Sequence, residues 1–290
     1  MFKGSIVALV TPFKNGKIDE KALERLVEFH IENGTDAVVP CGTTGESATM
    51  SHDEDIYVVK RVIEIVSGRV PVIAGTGSNN TSEALMLTKA AKDNGADAAL
   101  IVVPYYNKPT QEGIFQHYKT ITDAVNIPVV LYNVPGRTGG AGMLPETAVR
   151  LSKIPNIAAI KEASGTVDNT MQIIHDAPGF PVLSGDDCIT LPMMAAGASG
   201  VISVAANIIP KEMALMCAEM VKGNYDAARK IHYKYHTLFK ALFYESNPIP
   251  VKEALALMGM IELEYRLPMV PMGAANKEKL VNAMKEVGLI

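Results

Sequence analysis

The chain has 290 residues, of which 48% are hydrophobic and 20% are charged, a composition typical of a globular protein and not of a disordered one. The 27 basic and 31 acidic side chains give a formal net charge of −4, which argues against a nucleic-acid-binding protein. No stretch has the roughly 18 apolar residues of a membrane helix and no secretory cleavage pattern is present, so we expect a cytoplasmic protein without membrane partners.

Eight short apolar runs, rich in β-branched residues, recur along the chain. Their centres lie about 20 to 35 residues apart, which is enough for one strand and one crossover helix. Near-continuous apolar strands are typical of a parallel sheet that is covered on both faces. The eight runs are residues 5–10, 37–40, 70–74, 98–104, 127–134, 157–160, 181–184 and 200–204.

Helix start and stop signals fill the segments between these runs. Asp19 precedes an apolar stripe of helical period, and Gly34 follows it as a C-terminal cap. Ser51 with Glu54 predicts a capping box, and Asn80 with Glu83 predicts the same geometry one unit later. Eight alternating strand and helix units predict an α/β fold of the TIM-barrel type, (β/α)8.

After the eighth strand the pattern becomes purely helical. Helices are predicted over 211–222, 225–243, 251–260 and 277–287, with prolines separating the later ones. The first of them completes the barrel. We therefore predict a barrel over residues 1–222 and a C-terminal helical extension over 223–290 that packs on it.

The three cysteines, Cys41, Cys188 and Cys217, are an odd number and lie far apart. They form no Cys-x-x-Cys pair, and none has a histidine at metal-ligand spacing. The sequence therefore predicts neither a disulfide framework nor a metal site.

The site of a barrel enzyme lies at the carboxyl ends of the strands and in the loops that follow them. Lys161 directly follows the sixth apolar run, so its side chain should point into or just above an apolar interior. Two interpretations remain open: a buried ion pair with Glu162 or with an aspartate at 186–187, and a nucleophile that forms a Schiff base. The second is attractive because a desolvated lysine favours the neutral amine, which attacks carbonyls.

Three further features fall at the same end of the predicted barrel. Tyr132 ends the fifth run beside Lys161, and its phenol can move protons, although a core tyrosine with a satisfied hydroxyl is equally common. The loop at 42–46, Gly-Thr-Thr-Gly-Glu, can present backbone N–H groups to a carboxylate or be an ordinary strand-to-helix loop. Arg137 has the planar fork that binds a carboxylate, whereas a lone arginine is more often solvated.

Five motifs together are similar to those of one family. The chain resembles the dihydrodipicolinate synthase family, within the pyruvate-dependent class I aldolases and lyases, over essentially its whole length. Chance similarity of five motifs in order and spacing is improbable. The motifs are Gly-Thr-Thr-Gly-Glu-Ser at 42–47, Pro-Tyr-Tyr-Asn-Lys-Pro at 104–109, Tyr-Asn-Val-Pro-Gly-Arg-Thr at 132–138, Ile-Lys-Glu-Ala at 160–163 and Asn-Pro-Ile-Pro-Val-Lys at 247–252.

The resemblance implies an enzyme that condenses pyruvate with L-aspartate 4-semialdehyde, the entry step of diaminopimelate and lysine biosynthesis, without a metal or organic cofactor. Lys161 matches the Schiff-base lysine of the family. Tyr132, Thr44 and Tyr106 match its proton relay, and the family's counterpart of Tyr106 reaches across a dimer interface from the neighbouring subunit. Activity is therefore expected to depend on a homo-oligomer, and family members are commonly tetrameric dimers of dimers.

The resemblance also implies how the two substrates are held. Arg137 matches the residue that binds the carboxylate of the semialdehyde, and the backbone of Thr43 and Thr44 matches the site of the pyruvate carboxylate. Gly185 and Ile202 match positions that line the pocket near the ends of the seventh and eighth strands.

In feedback-inhibited members of the family, lysine binds at the tight dimer interface. Asp55 stands where the strongly inhibited members are expected to have a histidine, so the resemblance leaves open whether lysine regulates this chain. Glu83 also has a sufficient reason to exist as a helix-capping partner. The matching positions here are Ser47, Ala48, His52, Asn79, Glu83 and Tyr105.

Two other functions compete with this interpretation. An N-acetylneuraminate or 2-keto-3-deoxy-sugar-acid aldolase would use the same Schiff-base chemistry, but Arg137 favours the small semialdehyde, since a sugar acid needs neutral polar partners for its hydroxyl groups. A non-catalytic barrel that binds small carboxylates or serves as a structural partner would leave Lys161 ion-paired, and the complete set of relay residues disfavours it.

Overall fold

The computed structural model describes residues 2–140 and 142–290. Eight parallel strands form one sheet, and each lies at one of the predicted apolar runs. The strands are β1 (Gly4–Ala8), β2 (Ala37–Val39), β3 (Ile73–Gly75), β4 (Ala98–Val102), β5 (Val129–Asn133), β6 (Ile157–Glu162), β7 (Val182–Ser184) and β8 (Gly200–Ser203).

The sheet closes on itself. Along it, β1 pairs with both β2 and β8, and each later strand pairs with its neighbour in the sequence down to β3. A parallel bridge between Val38 and Val72 joins β2 to the start of the β3 segment and completes the ring. The predicted (β/α)8 barrel is therefore confirmed.

Each barrel strand is followed by a helix, and three more helices follow the last unit. A small antiparallel hairpin, Phe13–Lys14 with Lys17–Ile18, precedes the first helix. The barrel helices are α1 (Glu20–Glu32), α2 (His52–Val66), α3 (Thr81–Asp93), α4 (Gln111–Ala124), α5 (Pro145–Leu151), α6 (Val167–Asp176), α7 (Thr190–Ala195) and α8 (Pro210–Val221), and the later ones are α9 (Tyr225–Ala241), α10 (Ile249–Leu257) and α11 (Ala274–Glu286). No helix in these described ranges is long and apolar enough to cross a membrane.

Two of the three predicted helix starts have the predicted chemistry. Asp19 accepts a hydrogen bond from the Ala22 N–H, and Ser51 with Glu54 forms the full capping box. The second box, at Asn80 with Glu83, is wrong. Asn80 caps through the Ser82 N–H, but the Glu83 carboxylate accepts from the Ser78 hydroxyl instead of returning to the Asn80 backbone. The Asn80 backbone N–H also donates to the Ser78 hydroxyl oxygen, at 3.1 Å, so this one hydroxyl binds both groups that the box would have joined.

The barrel interior and the layer between strands and helices are two separate apolar clusters. Alternation along β6 explains the division, because Ala159 packs in the interior cluster while Ile160 packs toward the helices. The interior cluster is filled by small and branched side chains contributed by the strands. The barrel is therefore a packed core, and any substrate cavity must lie above it at the strand ends.

The C-terminal helices are tied to the barrel by ion pairs as well as by packing. Lys252 at the start of α10 pairs with Glu46 in the loop after β2, and both side chains are buried. Arg266 donates to both carboxylate oxygens of Glu54 at 2.7 and 2.8 Å, which lowers the pKa of Glu54 to about 2. The Glu54 carboxylate thus caps α2 and holds the extension at once.

Candidate active site

A cavity of about 490 Å³ opens at the carboxyl ends of the strands. Its walls come from the loops after β2, β5, β6 and β7 and from the segment between α9 and α10. Six residues that the sequence singled out line it: Thr43, Thr44, Tyr132, Arg137, Lys161 and Gly185. The structure therefore brings together at one cavity side chains that are up to 142 positions apart, from Thr43 to Gly185.

Lys161 lies within β6 instead of just after it, and its side chain is 6% exposed. It shares an inward face with Ala159, and the register pairs it with Tyr132 on β5. The Lys161 Nζ lies 4.2 Å from the centre of the Tyr132 ring. The amine therefore rests against an aromatic face at the floor of the cavity, where little water surrounds it.

Glu162 points the opposite way from Lys161, as expected for consecutive strand residues. Its carboxylate accepts from Asn133 Nδ2 at 2.9 Å and from the Ser164 N–H at 2.6 Å, while burial raises its pKa. Asp187 accepts from the N–H groups of Val204 and Ala205. Within the described ranges no carboxylate lies within 4.0 Å of Lys161 Nζ, so the ion-pair interpretation of this lysine is wrong.

Gly185 leaves the space that the lysine side chain occupies. A Cβ atom at this position would lie 3.0 Å from Lys161 Cε and 2.6 Å from the Cβ of Ala163. The contact with Ala163 is closer than two side-chain carbon atoms tolerate, and the contact with Lys161 is tight. A glycine at position 185 therefore leaves room for the Lys161 stem.

The loop after β2 offers both a hydroxyl and free backbone donors. The Gly45 and Glu46 N–H groups close tight turns onto Gly42 and Thr43 carbonyls, whereas neither the Thr43 nor the Thr44 N–H donates to another described residue. The Thr44 hydroxyl is buried and accepts from Asn247 Nδ2 at 2.9 Å. Two adjacent unused amides at a cavity wall suit a carboxylate.

Arg137 lies in the loop after β5, at the wall between this cavity and a second one. Its backbone N–H donates to Val134 at 2.9 Å, and its Nη2 donates to the Asn247 carbonyl at 3.2 Å. One of five guanidinium donors is thus used, and the other four, which have no partner among the described residues, are available to an anion.

A second cavity of about 380 Å³ shares a wall with the first through Thr43, Tyr132, Arg137 and Asn247. It is more acidic, since Asp55 and Glu83 line it. Burial raises the pKa of Asp55 to about 7, and its Oδ1 atom has no hydrogen-bond partner in the described ranges. Five of the six positions matched to a lysine site line this cavity: Ser47, Ala48, His52, Glu83 and Tyr105.

Three predicted residues lie outside both cavities. Tyr106 is 88% exposed, with a positive φ of 70°. Ile202 is buried in the interior cluster below the cavity floor. Asn79 lines neither cavity, and its carbonyl accepts from Asn107 Nδ2 at 2.8 Å.

The sequence assigned no catalytic or substrate-binding role to six further residues that line the first cavity. Lys240, Phe243, Tyr244 and Asn247 line the first cavity together with Asp186 and Cys188. Of these six residues, only Asn247 belongs to one of the recognised motifs, so it is the one that the sequence could have indicated as part of the site. In residues 2–140 and 142–290, no three His, Cys, Asp or Glu side chains gather in an arrangement that holds a metal ion.

Comparison with known proteins identifies close relatives over the whole chain. The model of the dihydrodipicolinate synthetase family matches residues 1–287. The 4-hydroxy-tetrahydrodipicolinate synthase of Geotalea uraniireducens is 59% identical, with all of both chains covered. That of Thermodesulfovibrio yellowstonii is 54% identical, again over all of both chains.

Solved structures agree. The dihydrodipicolinate synthase of Acinetobacter baumannii complexed with pyruvate is 52% identical, covers all of both chains and has a TM-score of 0.98. The enzyme from Cyanidioschyzon merolae with lysine bound is 44% identical, with 100% of this chain and 99% of that chain covered and a TM-score of 0.96. These relatives favour a synthase over a sugar-acid aldolase.

Proposed function

The chain belongs to the dihydrodipicolinate synthetase family, and we propose that it condenses pyruvate with L-aspartate 4-semialdehyde through a Schiff base on Lys161. Family membership makes the chain a lyase with 4-hydroxy-tetrahydrodipicolinate synthase activity. One observation carries the proposal for Lys161: a buried lysine faces a cavity whose walls include a phenol, an arginine and two backbone amides, and among the described residues the lysine has no carboxylate partner and the amides have no acceptor.

The first half of the reaction forms a nucleophilic carbon. The neutral Lys161 amine attacks the keto carbon of pyruvate, and water leaves to give an imine. A proton is then lost from the methyl group, so that the imine becomes an enamine. The Thr43 and Thr44 N–H groups would hold the pyruvate carboxylate, and Tyr132, whose ring lies against the amine, would carry protons to and from the carbinolamine oxygen.

The second half uses that carbon. The enamine attacks the aldehyde of the semialdehyde, whose carboxylate Arg137 would bind. The substrate amino group then attacks the imine carbon, closes the ring and releases Lys161 as a free amine. Each step needs a proton moved at a nitrogen or oxygen atom, and Thr44 with Tyr132 supplies the hydroxyl groups for this.

Reaction products test the substrate assignment. Purified protein should turn over pyruvate with aspartate semialdehyde at least about 100-fold faster, in kcat/KM, than it cleaves N-acetylneuraminate or 2-keto-3-deoxy-sugar acids. Preference for a sugar acid would refute the assignment. If the protein preferred a sugar acid but still formed the pyruvate adduct on Lys161, the Schiff-base step would be correct and the second substrate wrong.

The exposed Tyr106 supports a further proposal, that it completes the relay in a neighbouring subunit of a homotetramer. It lines neither of the two cavities of its own chain, and an aromatic ring that is 88% exposed on a left-handed residue is costly without a partner surface. Co-assembly of two inactive variants tests this. A chain with Lys161→Ala mixed with a chain with Tyr106→Phe should regain activity, because one site then combines an intact Lys161 with the Tyr106 of the partner subunit.

Absence of complementation, with mixed assemblies verified by native mass spectrometry, would place Tyr106 in its own subunit or outside the reaction. Sedimentation of the unaltered protein should give a tetramer, and a monomer with full activity would contradict the shared site.

We also propose that L-lysine binds in the second cavity. The Glu83 and Asp55 carboxyl groups suit an ammonium group, and the relative from Cyanidioschyzon merolae has been solved with lysine bound. Initial rates measured against lysine test this. Inhibition that disappears in a Glu83→Gln variant is expected, whereas rates unaffected at millimolar lysine would contradict it.

A further inference from the structure

We propose that Asn247 is a positioning residue that orients the hydroxyl hydrogen of Thr44 and steadies Arg137, an inference that rests on the proposed function. Asn247 lies between α9 and α10, in the extension, and lines both cavities. It is buried, and it contacts two of the residues assigned to substrate and proton handling.

The contact with Thr44 has a direction. Asn247 Nδ2 donates to Thr44 Oγ1 at 2.9 Å, which occupies one of the acceptor sites of the hydroxyl. A threonine hydroxyl has a single hydrogen, and Thr44 Oγ1 donates it to no residue in the described part of the chain. The hydrogen of Thr44 is therefore free to be donated into the cavity, toward the group that needs it.

The side-chain oxygen of Asn247 takes no part in the hydrogen bond with Thr44. Asn247 Oδ1 is buried and has no partner in the described ranges, so the side chain acts through its nitrogen. An acceptor in place of that nitrogen would draw the Thr44 hydrogen away from the cavity. The direction in which the Thr44 hydroxyl donates its hydrogen thus depends on a hydrogen-bond donor at position 247.

The contact with Arg137 comes from the backbone of the same residue. Arg137 Nη2 donates to the Asn247 carbonyl at 3.2 Å and keeps its other donors for a substrate carboxylate. The segment is itself clamped nearby, because Lys252 pairs with Glu46, two residues after Thr44. The extension therefore holds the β2 loop at two points, one through Thr44 and one through Glu46.

An Asn247→Asp variant separates positioning from simple structural support. At about pH 8.5 the aspartate is an acceptor, so we expect kcat to fall about 10-fold to 100-fold with KM for pyruvate within about twofold. At about pH 6 a buried carboxyl group is partly protonated and donates again, so the deficit should shrink at least about fivefold. An Asn247→Ala variant should show a deficit that does not change with pH.

Asn169→Asp is the matched control. Asn169 Nδ2 donates to the Ser164 hydroxyl at 3.1 Å, the same kind of bond, but Asn169 lines neither cavity. Its kcat should remain within about twofold of the unaltered value at every pH. Equal pH profiles for Asn247→Asp and Asn247→Ala, or a kcat unchanged in both, would overturn the proposal.

A double-mutant cycle with Thr44→Val keeps the test decisive if the aspartate variant does not fold. When Thr44 has no hydroxyl, Asn247→Ala should cost less than about twofold in kcat, because its partner is already gone. Independent, multiplying losses would contradict the proposal. Pyruvate trapping on Lys161 of the unaltered protein is measured alongside, since its absence would refute the Schiff-base function and not the role of Asn247.

Discussion

Lys161 and Lys252, the two buried lysines in the described ranges, lie in regions of opposite character. Lys252 is fully buried in α10, where it pairs with Glu46 and lies 4.4 Å from the centre of the Phe13 ring. Lys161 is nearly as buried in β6, but no carboxylate of a described residue lies within 4.0 Å of its Nζ atom, and it faces an open cavity. Burial with a partner charge makes a structural clamp. Burial without a partner charge, beside a cavity, leaves an amine that is available to a molecule bound in that cavity.

The acidic side of the molecule shows the same contrast. Glu46 is buried with a cation, whereas Asp55 is buried with an Oδ1 atom that has no hydrogen-bond partner among the described residues. Burial accordingly raises the pKa of Asp55 to about 7 and, on the basic side, lowers that of Lys252 against the opposing pull of Glu46. Removal of each group therefore has a different expected consequence.

Loss of the Lys161 amine should have the largest effect. Lys161→Ala removes the atom that forms the imine, so we expect turnover to fall by at least about 10⁴-fold with little loss of stability, since no ion pair is broken. Lys161→Arg is the control, because it keeps a long nitrogen-bearing side chain but cannot form the imine. Steady-state rates and thermal unfolding are measured together, and a Lys161→Arg variant that keeps a tenth of the activity would contradict the nucleophile.

Loss of the Lys252 amine should act on stability instead. Lys252→Ala leaves the Glu46 carboxylate buried without its cation, which costs about 3 to 5 kcal/mol. Chemical denaturation measures this, and a double variant with Lys252→Met and Glu46→Gln should recover most of the loss because no unpaired charge then remains. A Lys252→Ala variant as stable as the unaltered protein would show that the clamp carries no stability.

Removal of the Asp55 charge should stabilise the protein, whereas removal of the Lys252 charge should destabilise it. The pKa is about 7 in the folded chain and 3.8 in the reference state, so the folded state binds the extra proton and stability falls as pH rises from about 4 through 7. Asp55→Asn should therefore stabilise the protein by about 2 to 4 kcal/mol near pH 8 and by much less near pH 5. Denaturation midpoints that shift equally at both values would place the Asp55 pKa in its ordinary range.

Removal of the Arg137 guanidinium is expected to have the smallest effect of the four. Arg137→Ala should raise KM for the semialdehyde about 10-fold to 100-fold, because a charge-assisted pair is lost, while pyruvate adduct formation stays nearly intact. Kinetics with each substrate varied separately measure this. Equal loss in both would mean that Arg137 supports the shape of the site and not one substrate.

Much of the fold could be predicted because its signals are local. The apolar runs located all eight strands, and the Ser51–Glu54 capping box is a four-residue pattern. The contacts within the site were harder to predict, because they join residues that lie far apart in the sequence. Nothing local indicates that Asn247 reaches Thr44, 203 positions away. The wrong capping box at Asn80 has a local cause, because the Ser78 hydroxyl, only five positions before Glu83, binds the carboxylate instead.

Residue type alone also could not separate the two lysines. The sequence singled out Lys161 because it directly follows an apolar run. Only the structure shows that no carboxylate of a described residue lies within 4.0 Å of its amine. The glycine that makes room for its stem, Gly185, was matched only through the family resemblance.

Borohydride trapping tests the contrast between the two lysines directly. The protein is incubated with pyruvate, reduced with borohydride, digested and mapped by mass spectrometry. We expect the reduced pyruvate adduct on the peptide that contains Lys161 and none on the peptide that contains Lys252. An unmodified Lys161 in protein that turns over both substrates, or an adduct on another lysine, would contradict the account.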